Sequence, residues 1–357
     1  MTLYDSKKYM KDVALVAEMP YNWDMLKGKS VAITGGTGMI GSFLVDVLMY
    51  RNLNCKQNVD IYVFGRDEAK AKNRFGEYSK SVYYNFVKQD INEPICGEVG
   101  GALIKHIDYV IHGASNTHPV AYASDPIGTI SANVIGLNNL LLWASKLNCE
   151  RFVFLSTVEI YGENKGDTDK FAEDYLGYID CNTMRAGYPE SKRTGEALCQ
   201  AYIKQMNMDI VIPRLSRVYG PTMLASDTKA LSQFILKGVN KEDIVLKSEG
   251  TQEFSYCYVA DAVSGILKLM FDGLCGGAYN VASDDSDIML KDLAGLIANY
   301  SGKQVVFELP DAVESAGYSK ATKATLDINK IKGLGWESYF DIEKGLQHTI
   351  DVLSEIL

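Results

Sequence analysis

Tyr188 and Lys192 stand four residues apart, so on a helix they share a face. An ammonium beside a phenol favours the phenolate, which lets the tyrosine act as a base near neutral pH. Upstream, Thr157 lies in Ser156-Thr157-Val158-Glu159-Ile160-Tyr161-Gly162 and offers a hydroxyl that can share the proton of a substrate alcohol. Together the three side chains suit removal of a hydride from a secondary alcohol, provided a nicotinamide sits nearby. The spacing alone also fits a surface helix with a packed tyrosine and a solvated lysine. A dinucleotide site in the same chain is therefore required.

That site is expected near the start. Ser30-Val31-Ala32-Ile33-Thr34 reads as a short buried strand running into Gly35-Gly36-Thr37-Gly38-Met39-Ile40-Gly41 and then an apolar helix. Gly35 permits a tight turn, Gly38 lets backbone approach a pyrophosphate, and Gly41 allows close helix–strand packing. Thr37, Met39 and Ile40 complete the turn at the helix N-terminus, which faces the phosphates. Strand before and helix after is the context this reading demands. The second strand, 59–64, ends at Gly65-Arg66-Asp67, so Gly65 stands where an acidic residue normally holds the ribose of NAD. Arg66 can stack on adenine or accept a 2′-phosphate, which leaves NAD against NADP open at this point. Asp90 and Ile91 can close the adenine pocket. Ala114 and Ser115 follow a fourth strand, and Asn133 lies on the helix after it. The strand 152–156 delivers Thr157 at its C-terminal end, where open α/β sheets place ligands. His112 reads as structural.

Those positions need a frame, and 357 residues are enough for one large unit or two lobes. Strands and helices alternate to about residue 212, which argues for a parallel sheet covered on both faces. After Pro213 the elements shorten and glycine turns multiply. The expected organisation is an N-terminal extension at 1–28, a dinucleotide-binding domain at 29–213 completed near 257–275, and a substrate-binding lobe over 214–357. Residues 9–19 suit a short amphipathic helix packed on the body or on a dimer neighbour. A net charge of −9 argues against broad binding to nucleic acid or anionic membranes. The seven cysteines are scattered with no C-x-x-C, so neither a zinc site nor a disulfide framework is indicated. No signal-peptide core and no apolar run long enough to span a bilayer stands out, and a cytoplasmic location is the simple expectation.

Taken together, the chain resembles the extended short-chain dehydrogenase/reductases that modify nucleotide sugars, over roughly residues 29 to 350. Beyond the glycines and Thr157/Tyr188/Lys192, the resemblance rests on Arg214-Leu215-Ser216-Arg217-Val218-Tyr219-Gly220-Pro221, Gly250-Thr251-Gln252, Tyr258-Val259-Ala260-Asp261 and Leu334-Gly335-Trp336. It implies a Rossmann-type doubly wound parallel sheet with a smaller C-terminal α/β lobe, bound NAD, a nucleotide-diphosphate sugar as substrate and a homodimer. The run Glu173, Tyr175, Gly177, Arg185, Tyr188, Glu190, Lys192, Arg193 is similar to the UDP-glucuronate decarboxylase branch. The 4,6-dehydratases usually have Thr-Asp-Glu where this chain has Thr157-Val158-Glu159, and Val158 cannot protonate a leaving hydroxyl.

Departures are equally specific. The Asn usual in R-x-x-N-x-Y-G-P is Arg217, and the Arg usual after G-x-Q-x is Phe254. Arg217 is expected to replace the lost cation at the diphosphate. The decarboxylases' C-terminal arginine has only Lys320 or Lys323 near its place. By resemblance, Tyr188 takes the C4 proton with Thr157, Lys192 supports the phenolate and the nicotinamide ribose, and Glu159 and Arg185 orient the sugar and handle charge. Decarboxylation leads the candidate outcomes, with 4-epimerisation, 4,6-dehydration and NADPH-dependent 4-keto reduction as alternatives. A silent dinucleotide-binding subunit is the remote one.

Overall fold

The computed structural model describes residues 2–117, 124–308 and 321–357. In chain order its strands begin with β1 (Ser30–Thr34), β2 (Asp60–Gly65), β3 (Tyr84–Lys88), a hairpin of β4 (Glu98–Val99) and β5 (Ala102–Leu103), and β6 (Tyr109–His112). Then come β7 (Arg151–Phe154), β8 (Ser156–Thr157), β9 (Ile210–Leu215), β10 (Arg217–Tyr219) and β11 (Ile244–Leu246). The last are β12 (Glu253–Tyr258), β13 (Ala278–Val281), β14 (Asp287–Met289), β15 (Val305–Phe307) and β16 (Lys323–Ala324).

The main sheet runs β3-β2-β1-β6-β7-β9-β13, with β8 also pairing β9, and all these pairings are parallel. Every residue of β1 and β6 is buried. Strands covered on both faces are largely apolar and show no alternation, and the polar Thr34 and His112 at their ends bond to each other. Strand order reverses between β1 and β6, and the crevice at that reversal lies beyond the strands' C-terminal ends. Helices Met39–Cys55 and Gly187–Met206 cover the sheet, each followed by a residue in the left-handed region, Lys56 at φ 53° and Asn207 at φ 52°.

Two elements from the second half return to this sheet. Helix Val259–Asp272, buried along most of its length, packs on Met39–Cys55, and β13 pairs with β9. The remaining C-terminal strands form a small mixed sheet, β10-β12-β14 with β16 on β12, and a parallel pair, β11-β15. The N-terminal segment is part of the body. Helix Lys7–Ala17 packs on Met39–Cys55, and its Tyr9 hydroxyl donates to the fully buried Asp46 carboxylate. Arg74 pairs with the same carboxylate, so a buried charge has its counter-ion. The pattern over 9–19 is thus explained by burial of Tyr9, Val13, Val16 and Ala17.

One sequence expectation needs correcting here. Among the described residues, helix Pro126–Lys146 is long and apolar enough, by length and composition, to cross a membrane. Leu137, Leu140, Leu141 and Ala144 are buried in the fold, while Ile127, Ile130, Ile135 and Leu142 are exposed. The continuous helix joins two apolar faces that read separately along the sequence.

Candidate active site

A single cavity of about 1100 Å³ follows the C-terminal ends of the main strands and is closed by residues of β10 and β12. At one end is the glycine turn. Gly35 has φ +71°, and a Cβ there would lie 2.7 Å from the Gly113 backbone. A Cβ on Gly41 would lie 2.4 Å from the Gly35 carbonyl oxygen. Only glycine lets this turn and the start of helix Met39–Cys55 approach so closely. Thr37, Gly38, Met39 and Ile40 line the cavity beside them. Arg66, Asp90 and Ile91 line the same wall, with Arg66 Nη1 3.9 Å from Asp90 Oδ2. Asp67 does not line it, because its carboxylate caps helix Glu68–Phe75 by accepting from Lys70 N at 2.9 Å. The glycine cradle, the helix N-terminus and a mobile-length guanidinium at the rim are the donors a dinucleotide needs.

Ala114, Ser115, Thr157, Tyr188 and Lys192 all line this same cavity. Helix Gly187–Met206 presents Tyr188 and Lys192, and Thr157 ends β8. Burial pushes the Tyr188 phenol well above its ordinary value, and the nearby Glu159 charge pushes it further. A hydrogen bond with Thr157 and the Arg185 charge act in the opposite direction. The Lys192 ammonium donates to the Leu155 carbonyl at 2.9 Å and lies 4.9 Å from the Phe154 ring centre. Burial pulls Lys192 down to about 8. Arg185 thus adds a positive charge that favours the Tyr188 phenolate.

Beside the phenol, Glu159 is held between two arginines. Arg185 Nη2 lies 3.5 Å from Oε2 and Arg217 Nη2 lies 3.4 Å from Oε1. Arg217 stacks on Phe254, with Cζ 3.6 Å from the ring centre. The two departures from the familiar pattern are therefore in contact. The parallel register Arg217↔Tyr256 explains this, since Phe254 lies two residues before Tyr256 on β12 and shares its face.

Asn133 does not reach the cavity wall. It is fully buried in a π-helical stretch, and its Nδ2 donates to Ser191 Oγ at 2.9 Å. Ser191 Oγ in turn donates to the Tyr188 carbonyl at 2.8 Å, so Asn133 braces the catalytic helix from behind. Lys323 is also displaced from its expected role. Pairing of β16 with β12 turns Ala324 inward and leaves Lys323 with Asp169 and Glu253, away from the cavity. Lys320 lies outside the described residues. His112 is fully buried, bonded to Thr34 Oγ1 at 2.7 Å and pushed down to about 3 by burial and by Lys192. Glu173 accepts from Asn280 N at 2.7 Å, and Glu190 lies 3.9 Å from Arg193 on the same helix.

Some supporting residues carry no local sequence signal. Glu196 accepts from Ser156 Oγ at 2.6 Å and from Arg214 Nε and Nη2 at 3.0 and 2.7 Å. This clamp fixes the strand end that carries Thr157. Lys229 and Lys247 also line the cavity, and Thr222 Oγ1 donates to the Met39 carbonyl at 2.9 Å. The pairing of β8 with β9 sets Ser156 beside Arg214, and helix Gly187–Met206, packed on both strands, adds Glu196.

A doubly wound sheet with a glycine turn at its switch point, and a Thr–Tyr–Lys set one strand away, defines a nicotinamide-dependent enzyme of the extended short-chain dehydrogenase/reductase type. The chain matches the NAD dependent epimerase/dehydratase family over residues 31–282 and belongs to it. NAD is accordingly its cofactor, and the glycine cradle fits that group. UDP-glucuronic acid decarboxylase 2 of Arabidopsis thaliana is 32% identical over 321 residues, 90% of this chain and 67% of that protein. UDP-glucose 4-epimerase of Thermotoga maritima, solved with UDP-glucose, superposes with TM-score 0.77 at 22% identity, covering 91% of this chain and 99% of that one. UDP-glucuronic acid 4-epimerase of Bacillus cereus, solved with UDP-glucuronic acid and NAD, gives TM-score 0.76 at 21% identity, covering 92% and 100%.

Proposed function

We propose that this enzyme oxidises C4 of a nucleotide-diphosphate sugar, UDP-glucuronate in the first instance, and then releases the C5 carboxylate as CO2. The observation that carries the reading is the Arg185–Glu159–Arg217 cluster beside Tyr188, with Val158 where a dehydratase would need an acid. The 32% identity to a UDP-glucuronic acid decarboxylase supports it. Bound NAD supplies the acceptor for the C4 hydride and later its donor.

Tyr188, as phenolate, takes the C4 hydroxyl proton, with Thr157 sharing the hydrogen bond. The C4 ketone is then β to the carboxylate. When the bond from C5 to the carboxylate carbon breaks, its electron pair enters the enolate of that ketone. Protonation at C5 and return of hydride and proton to C4 leave a pentose. Arg185 offsets the Glu159 charge that otherwise opposes the phenolate. Glu159 and Arg185 hold the ring, while Lys229 and Lys247 suit the diphosphate end. The exposed isoleucines of helix Pro126–Lys146 support a homodimer.

Incubation with UDP-, dTDP-, CDP- and GDP-sugars, read by mass, tests the reaction. UDP-glucuronate should lose CO2 without net consumption of added NAD. Turnover of another sugar with UDP-glucuronate untouched refutes this reading. Loss of water from any sugar would indicate dehydration, and a new isomer of equal mass would indicate epimerisation.

A further inference from the structure

Arg217 and Phe254 form one unit. A guanidinium lying flat on a ring keeps its N–H edge available, because the stacking uses only its face. Nη2 points to Glu159, but the other nitrogen, Nη1, is buried without a hydrogen-bond partner. The neighbouring Ser216 Oγ, on the same cavity wall, is also buried and unpartnered. Buried donors are rarely left unmade, since each costs about 1–3 kcal/mol. Both atoms call for a polar ligand group.

Charge indicates its sign. Glu159 is shared between Arg185 and Arg217, so one carboxylate does not neutralise Arg217 by itself. The Arg217 contact of 3.4 Å is long for a charge-assisted bond, so Glu159 does not saturate that guanidinium. Position indicates which part of the substrate arrives there. Glu159 acts directly on the Tyr188 phenol, so Arg217 is one carboxylate away from the group that meets C4. Lys323, the other candidate for holding a sugar carboxylate, is occupied outside the cavity.

We propose that Arg217, held flat by Phe254, is the specificity-determining residue that selects nucleotide uronic acids, with Nη1 donating to the sugar carboxylate. The pair has exchanged a cation on β12 for one on β10, and thereby moved recognition toward the sugar. This replaces the diphosphate role that its sequence position suggests. It rests on the proposed function for the orientation of the sugar, and its own content is anion recognition rather than the fate of the carboxylate.

The test is binding, not turnover. Calorimetry on the NAD-loaded enzyme first identifies which of UDP, dTDP, CDP and GDP binds most tightly. The glucuronate and glucose derivatives of that nucleotide are then compared. Wild type should prefer the uronate. Arg217→Gln should weaken uronate binding about 10- to 100-fold while leaving the glucose derivative and the free diphosphate within about twofold. Arg217→Lys should not restore the loss, since it lacks the planar fork. A double exchange, Arg217→Asn with Phe254→Arg, should abolish the preference and keep diphosphate binding, which also reports that the fold is intact. Equal weakening of all three ligands, unchanged uronate binding, or a wild type without uronate preference overturns the proposal. If Arg217 controls uronate affinity but the bound uronate keeps its CO2, the decarboxylase reading falls and this inference stands.

Discussion

At the residue scale, Tyr188 and Lys192 are both driven toward their neutral forms by burial, in opposite pKa directions. The site thus holds a lysine at a cost to folding. With a folded value of about 8 and an ordinary value of 10.5, the unfolded chain binds more protons between those pH values. Wild-type stability therefore rises with pH across that window, and below it the full penalty applies. Lys192→Met should abolish turnover yet stabilise the cofactor-free protein by on the order of 2–3 kcal/mol at pH 7. The gain should shrink as pH climbs from about 8 toward 10.5. Denaturant titrations across that range check it, and a variant less stable than wild type at pH 7 contradicts it.

At the element scale, the catalytic residues depend on how β8 and helix Gly187–Met206 are anchored. Glu196 joins Ser156 on β8 to Arg214 on β9, and Arg214 Nη1 also donates to the Tyr161 hydroxyl at 2.8 Å. Removing Glu196 leaves a largely buried guanidinium unpaired. Glu196→Ala should cost about 3 kcal/mol in stability and lower kcat, because Thr157 loses its fixed strand end. NAD affinity should be kept, since the glycine turn is untouched. Denaturation and cofactor titration of the same variant separate the two effects. Sequence reading located the strands, the glycine turn and the Tyr188 helix from local patterns. It placed Asn133 at the cofactor, whereas the structure puts it behind the helix, bonded to Ser191. An asparagine gives the same letter whether it faces a ligand or braces a backbone, and only the packed helix pair distinguishes them.

At the scale of the whole molecule, the C-terminal strands close a cavity that the main sheet opens. Asp261 ties this half together by accepting from the Tyr339 and Phe340 backbone N–H groups and from Ser283. Burial nevertheless raises its carboxyl to about 6. Helix Pro126–Lys146 leaves Ile127 79% and Ile135 50% exposed, an unusual expense for a surface helix in water. Replacing both with Lys should convert the proposed dimer to a monomer in sedimentation analysis. An unchanged sedimentation coefficient would remove the support this face lends to dimerisation.

The chemistry at C4 and the dinucleotide turn were legible because they use short spacings: i, i+4 on one helix, and four glycines in seven residues after one strand. Local conformation is enough to bring such residues together. The environment of the sugar was not legible. Arg217 lies 37 residues before Phe254 and 58 after Glu159, and their contact exists only because β10 and β12 pair in parallel beside the end of β8. Register, which no local pattern encodes, decided that the unusual arginine meets Glu159 and that Lys323 faces outward.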